Sequence, residues 1–358
     1  MAFLMIDCKS FFASVEAVER GVDPLQIRLV VMRDDAATGS GLVVSASPEA
    51  KKAFKIGNVD RGYTVPNSPR LLQVPPRHWL YEQYSKEINA VYREEFGAAN
   101  VFPYSIDESL IKLDESVGLN AADQLAQAMQ RRIYHHFGIY TTVGIGSNPV
   151  QAKLALDLLS KSAANFRGTL TEANFKAVLW PIRELTRVWS IGPHTAQRLN
   201  KLGVKTMQDL AEFDEQALAR EFKSRSRQLH ALAWAQDVGN RWMQVTPVEH
   251  QSVSASKIFE VDVQNKKALE KRLKKIVQSL DKRLGQRDGK TMTIMIRYAD
   301  GDWVARSKTY DDYLKEQLWP VAWQMFLKYW DADHAVRQLG VGLSKLKDRD
   351  RGQQISLF

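Results

Sequence analysis

Val101-Phe102-Pro103-Tyr104-Ser105-Ile106-Asp107-Glu108-Ser109-Leu110-Ile111-Lys112-Leu113 sets two adjacent carboxylates inside an apolar run that reads as β-structure. A third acid, Asp7, closes another such run, Ala2-Phe3-Leu4-Met5-Ile6-Asp7-Cys8. Carboxylates are costly in a sheet interior unless something pairs with them. Three that converge on one sheet edge can hold two divalent cations about 3.5–4 Å apart, the arrangement used for in-line phosphoryl displacement. Asp7, Asp107 and Glu108 are therefore the expected catalytic and metal-binding set. The backbone carbonyl of Cys8 is expected to add a ligand, because hard cations take oxygen.

Residues 11–20 read as a short helix, 29–32 and 42–46 as two strands separated by the turn 33–41, and Pro48 to about Lys55 as a helix with proline at an early position. Residues 76–96 and Asn120–Gly138 are amphipathic helices, Tyr140–Gly146 is a strand, and Asn148–Ser160 is a helix. From about residue 175 to 240 the pattern holds short helices only. A polar, weakly periodic stretch, 241–254, reads as a linker. Beyond it strand Lys257–Val263, helix Lys266–Leu284, strands Thr291–Tyr298 and Val304–Tyr310, helix Leu314–Trp330 and strand Ala335–Ser344 give a split βαβ order. The expected class is α+β and multidomain.

The 358 residues, 44% apolar and 25% charged, are too many for one ordinary core. No run approaches the roughly 18 apolar residues that span a bilayer, no export signal is read, and a lone cysteine forms no internal disulfide. A cytoplasmic, nucleoid-associated protein is expected, without a membrane partner. The net charge of +9 calls for an anionic partner. The excess is uneven: residues 241–358 carry 22 Lys and Arg against 15 Asp and Glu, or +7, and the first 240 carry only +2. A nucleic-acid surface is expected in the C-terminal third.

The chain resembles the Y-family, lesion-bypass DNA polymerases, and within them the branch related to the bacterial SOS polymerase V catalytic subunit. The residues that carry this are Ile6-Asp7-Cys8-Lys9-Ser10-Phe11-Phe12-Ala13-Ser14-Val15-Glu16, Tyr104-Ser105-Ile106-Asp107-Glu108-Ser109, and Thr142-Val143-Gly144-Ile145-Gly146-Ser147-Asn148 followed by Ala152-Lys153-Leu154-Ala155. Ile191-Gly192 with its flanking helices and the split βαβ third with Val336–Val341 add to it, so that the likeness runs through nearly the whole chain.

The resemblance implies a right-hand fold: palm at 1–10 and 76–170, small fingers at 11–75, a helical thumb with a helix-hairpin-helix at 171–240, the linker, a little finger at 255–347 and a tail at 348–358. It implies template-directed addition of dNTPs to a primer 3′-hydroxyl with two Mg²⁺, low fidelity and no proofreading. Asp7 and Asp107 would bridge the ions and Glu108 would bind the one near the nucleophile. Phe12 falls at the family's steric gate, an aromatic ring under the sugar that rejects a 2′-hydroxyl by clash. Phe11 stands beside it, with packing as its expected role. Lys161 matches a lysine that contacts the triphosphate. Lys51 and Pro48 fall where many members have arginine and tyrosine; a lysine supplies a point charge without a bidentate fork, and Ser47 or backbone amides are expected to replace the tyrosine hydroxyl. Leu42 and Val44 share a strand face that by resemblance roofs the templating base, somewhat tightly.

DNA phosphates are expected at Ile191-Gly192, where exposed helix N-terminal amides can take a phosphate, and at Arg297, Arg306 and Lys308. Gln354-Ile355-Ser356-Leu357-Phe358 looks like the bacterial sliding-clamp pentapeptide, with Gln354, Ile355, Leu357 and Phe358 as the docking residues. Primer-template DNA, dNTP and the clamp are the implied partners. The polymerase V branch adds a recombinase filament and SOS accessory subunits as candidates that no segment proves. Two rival readings stay open on the sequence: a non-catalytic DNA- and clamp-binding factor, and another two-metal palm enzyme such as a nucleotidyl cyclase. The cyclase is disfavoured because it needs no grip on a duplex.

Overall fold

The computed structural model describes residues 1–33, 41–58, 60–243 and 252–348. They fall into two compact units, Met1–Val245 and Thr246–Phe358.

The first unit is built on a five-stranded sheet ordered β5-β6-β1-β7-β8. Its strands are β1 (Phe3–Cys8), β5 (Val101–Pro103), β6 (Glu108–Lys112), β7 (Thr141–Gly146) and β8 (Arg167–Leu170). The run Val101–Leu113 forms a hairpin, bent at 105–107 so that Glu108 begins the return. The side chains of β1 alternate between two cores. Leu4, Ile6 and Cys8 face α3 (His78–Phe96) and α4 (Leu119–Phe137) through Tyr81, Ile88, Tyr92, Met129 and Ile133. Phe3 and Met5 face the other way, onto Ala152 of α5 (Pro149–Ala155) and Leu156 of the π turn Leu156–Ser160 that extends it. That alternation puts Asp7 on the α5 side.

Gly144 explains how closely α5 lies. A Cβ there would come within 2.1 Å of the Ala152 carbonyl and 2.2 Å of the Leu156 amide. Asn148 starts α5 by accepting the Gln151 N–H on its side-chain oxygen, with Pro149 in the first turn.

A second, three-stranded sheet runs β3-β2-β4, with β2 (Leu29–Met32), β3 (Val43–Ala46) and β4 (Leu72–Val74), the last parallel to β2. It carries α1 (Phe11–Val18) and α2 (Pro48–Phe54). The remainder of the unit is helical: α6 (Phe175–Leu179), α7 (Pro193–Lys201), α8 (Met207–Glu212), α9 (Glu215–Phe222) and α10 (Ser226–Ala233) enclose an apolar core to which α5 adds Val150 and Leu154 and β8 adds Leu170. A capping box between Thr206 and Asp209 opens α8, and Asp214 caps α9.

The second unit follows the expected order: β9 (Ser252–Val263), α11 (Lys266–Leu284), β10 (Arg287–Tyr298), β11 (Trp303–Thr309), α12 (Leu318–Tyr329) and β12 (Val336–Asp348). Its sheet is ordered β11-β10-β12-β9, and both helices pack on one face against Met292, Ile294, Ile296 and Leu339. The expected linker is shorter than 241–254, because β9 starts at Ser252; residues 244–251 lie outside the described part. So do 34–40 of the expected turn and the tail from residue 349 onward, which includes Gln354, Ile355, Leu357 and Phe358. Among the described residues, no helix is long and apolar enough to cross a membrane.

Candidate active site

The register of β1 assembles the acidic row. Asp7 lies directly opposite Glu108 on one side and Thr142 on the other, so all three share the α5 side of the sheet. The Cys8 amide donates to the Asp107 carbonyl at 2.9 Å, which holds the bend of the hairpin against the end of β1. Ser105 donates its hydroxyl to Asp107 Oδ1 at 2.7 Å and receives the Glu108 amide at 3.0 Å. Thr142 donates to Asp7 Oδ1 at 3.2 Å.

Burial pushes the Asp7 carboxyl up to about 7 from an ordinary 3.8; Lys161 and Lys153 work against the rise, and the charges of Asp107 and Glu108 add to it. A divalent cation would remove that penalty, and the donors present are all oxygens, so the residues fit a hard ion. Glu108 is engaged elsewhere as the side chains stand. Its Oε1 accepts from Lys153 Nζ at 2.8 Å, and the same buried lysine is 3.2 Å from Asp157. Among the described residues, no three His, Cys, Asp or Glu side chains are gathered closely enough to hold an ion.

A cavity of about 380 Å³ opens beside these acids, lined by Asp7, Asp107 and Thr142 on one side and Phe12, Val44 and Pro48 on another. Lys9, Lys51 and Lys161 also line it. Lys51 Nζ reaches Ser10 Oγ at 3.3 Å, and Lys161 is 2.7 Å from Asp157. Burial lowers the ammonium pKa of both Lys9 and Lys51, and repulsion from Lys161 adds to each. Three crowded ammonium groups beside two carboxylates suit a ligand that carries several negative charges and its own counter-cation. A larger cavity, about 890 Å³, is lined by Phe102, Tyr104, Trp189 and Trp242 and by none of the expected site residues. Its walls mix aromatic, aliphatic and polar residues, and the convergent charge lies at the smaller one.

Phe12 is half-buried on the cavity wall, and Phe11 is a core residue that also borders the cavity. Val44 lines the cavity; Leu42 stands at the strand end, exposed, in an isolated bridge with Arg61. Ser47 does not stand in for a tyrosine hydroxyl. It is fully buried as the N-cap of α2, accepting from Ala50 N and Leu29 N and donating to the Ile27 carbonyl. Ile191 is likewise taken up by the fold: its side chain is core and its amide donates to the Val188 carbonyl. Gly192, at the N-cap of α7, is open, with nothing within 4 Å of a Cβ built there.

The three cationic strand residues do not form one strip. Arg306 and Lys308 pair with Ile294 and Met292, whose side chains face the helices, whereas Arg297 alternates onto the open face opposite Trp303. Lys9 was absent from the sequence-based set. The signal was available, since it stands two residues after Asp7, the spacing that keeps side chains on one side of an extended chain.

The impB/mucB/samB family model matches residues 6–157, its C-terminal domain matches 250–357, and the family's HHH motif matches 172–204. UvrX of Bacillus subtilis strain 168 is 32% identical over 99% of this chain and 85% of its own length. The chain belongs to the impB/mucB/samB family of Y-family DNA polymerases. The DNA polymerase IV of Moorella thermoacetica is 29% identical, covering 96% of this chain and 86% of that one. Among solved structures, a Y-family DNA polymerase chimera, Dbh-Dpo4(243-245)-Dbh, matches the fold with a TM-score of 0.79 at 22% identity, over 98% of this chain and all of that one. The protein is a DNA-directed DNA polymerase of the translesion class, acting on primer-template DNA and dNTPs; the reading as a non-catalytic binding factor is not favoured. Y-family polymerases need divalent metal ions.

Proposed function

We propose that Asp7, Asp107 and Glu108, with the Cys8 carbonyl, hold two Mg²⁺ ions, and that the cavity beside them receives the incoming dNTP. The row Glu108–Asp7–Thr142 across three neighbouring strands carries the reading. Bound ions would supply Lewis-acid stabilisation of the triphosphate and a lowered pKa at the primer hydroxyl.

The chain's own residues do the rest. Lys9, Lys51 and Lys161 neutralise and orient the triphosphate, because their ammonium groups converge on the cavity from three elements. Asp7 and Asp107 contribute negative oxygens from a rigid sheet edge. Glu108 joins them by exchanging its bond to Lys153, and Lys153 then retains Asp157 as its partner. Phe12 lies under the sugar as a flat apolar wall, and Val44, with Leu42 beyond it, roofs the templating base. Open amides at the start of α7 and the Arg297 guanidinium take DNA phosphates without reading bases. The tail Gln354–Phe358 docks on the sliding clamp and raises the local concentration of polymerase at the primer end. The setting is the cytoplasm, at the nucleoid.

Primer extension by the purified protein with Mg²⁺ tests this reading. Asp7→Ala and Asp107→Ala are each expected to lower it by more than about a thousandfold. Extension by Asp107→Ala at the parent rate would overturn it. Removal of Gln354–Phe358 is expected to leave distributive synthesis and abolish stimulation by the clamp; undiminished stimulation would refute the docking role.

A further inference from the structure

Behind Phe12 lies a buried polar network that neither ion binding nor triphosphate binding uses. Phe12 and Glu16 are four residues apart on α1, so they share the face turned to α3. The Phe12 ring stacks on Tyr81 of α3, with centroids 4.2 Å apart and planes 14° from parallel. His78 closes the edge of both rings, 5.9 Å from Phe12 and 6.0 Å from Tyr81. The Tyr81 hydroxyl donates to Glu16 Oε1 at 2.7 Å. The Glu16 side chain has no exposed surface, and Arg77 grips its carboxylate bidentately, Nε to Oε1 at 2.9 Å and Nη2 to Oε2 at 2.8 Å. Arg20 adds a third cationic contact to Oε2 at 2.5 Å.

A fully buried carboxylate is expensive, and core packing alone would be met by an apolar residue at this place. The arrangement has a different use. Each atom from the carboxylate to the gate ring is fixed by the next: the arginine fork fixes Glu16, Glu16 fixes the tyrosine hydroxyl, and the tyrosine ring fixes the plane of Phe12. We propose that Glu16 and Tyr81 are specificity-determining positioning residues that set the tilt of the Phe12 ring and thereby the exclusion of ribonucleotides. This rests on Phe12 being the sugar gate. A ring free to tilt leaves room for a 2′-hydroxyl, whereas a deoxyribose meets the same surface either way, so the effect falls on discrimination rather than on synthesis.

The test is steady-state single-nucleotide insertion, reading the ratio of kcat/KM for a dNTP to that for the matching rNTP. Phe12→Ala serves as the reference for the gate itself. Tyr81→Phe, which keeps the ring and deletes the link to Glu16, and Glu16→Gln are each expected to lower the ratio on the order of tenfold through a fall in rNTP KM, with dNTP insertion retained. A merely structural role would depress both substrates together and leave the ratio in place. Should Phe12→Ala collapse the ratio while Tyr81→Phe leaves it at the parent value, the inference is overturned and the gate stands. Should Phe12→Ala itself leave the ratio unmoved, the gate reading fails and takes this one with it. If Glu16→Gln does not fold, Tyr81→Phe decides alone.

Discussion

Asp7 is the residue on which solution conditions act most directly. Its carboxyl titrates near 7 in the folded, ion-free protein and at an ordinary 3.8 when unfolded. Between those values the folded state holds a proton that the unfolded state has released. Stability of the ion-free protein therefore falls as pH rises from about 4 to about 7 on account of this group, and levels off above. In chelator, the unfolding midpoint should be higher at pH 5.5 than at 7.5, and Asp7→Asn should flatten that difference. Added Mg²⁺ should raise the midpoint more at pH 7.5 than at 5.5, because protons and cation compete for the same oxygens. An equal pH response in parent and Asp7→Asn would sink the argument.

At the scale of elements, two glycines make opposite forecasts. Gly144→Ala drives a methyl into the backbone of α5 and should cost about 3 kcal/mol or more by denaturant unfolding. Gly192→Ala meets nothing and should cost less than about 1 kcal/mol, while weakening DNA binding if a phosphate approaches that amide. Unaltered DNA affinity in a stable Gly192→Ala protein would remove α7 from the DNA surface. Elements with a clear period were legible in the chain itself: Lys266–Leu284 begins and ends where its apolar spacing does, and β1 and α4 fall within a residue or two of the expected bounds. Three features were not. β4 is three residues, Leu72-Gln73-Val74, too short for alternation to register. β8 is Arg167-Gly168-Thr169-Leu170, with little β preference, and it exists because it lies parallel to β7. The π turn after α5 carries an ordinary helical sequence and is set by tertiary packing. The carboxylates were legible because acids in apolar runs are rare. Ser47 was misread because one hydroxyl serves equally well as a cap or a ligand, and Arg306 because strand pairing decides its face.

For the molecule as a whole, the first unit holds several apolar cores and the second a single one of its own, and the described residues of the second begin and end on paired strands of one sheet. Residues 246–358 expressed alone should fold and unfold cooperatively, seen as a single sigmoidal loss of far-ultraviolet circular dichroism on heating. A gradual, featureless melt would show that the core of the second unit depends on the first unit. The net charge of +9 makes DNA affinity salt-dependent, so log Kd should rise linearly with log salt. Arg297→Ala should lower that slope by about one if the open face meets phosphate, and Arg306→Ala should lower it less.

The strand that carries Asp7 is hydrogen-bonded along its length to neighbours on both flanks, β6 and β7. Its amides from Leu4 to Ile6 belong with the slowest-exchanging protons of the chain, released to deuterium only when the entire unit opens. Thermal inactivation should accordingly coincide with global melting of that unit rather than precede it, leaving no warm interval in which the enzyme is still folded yet has lost its chemistry.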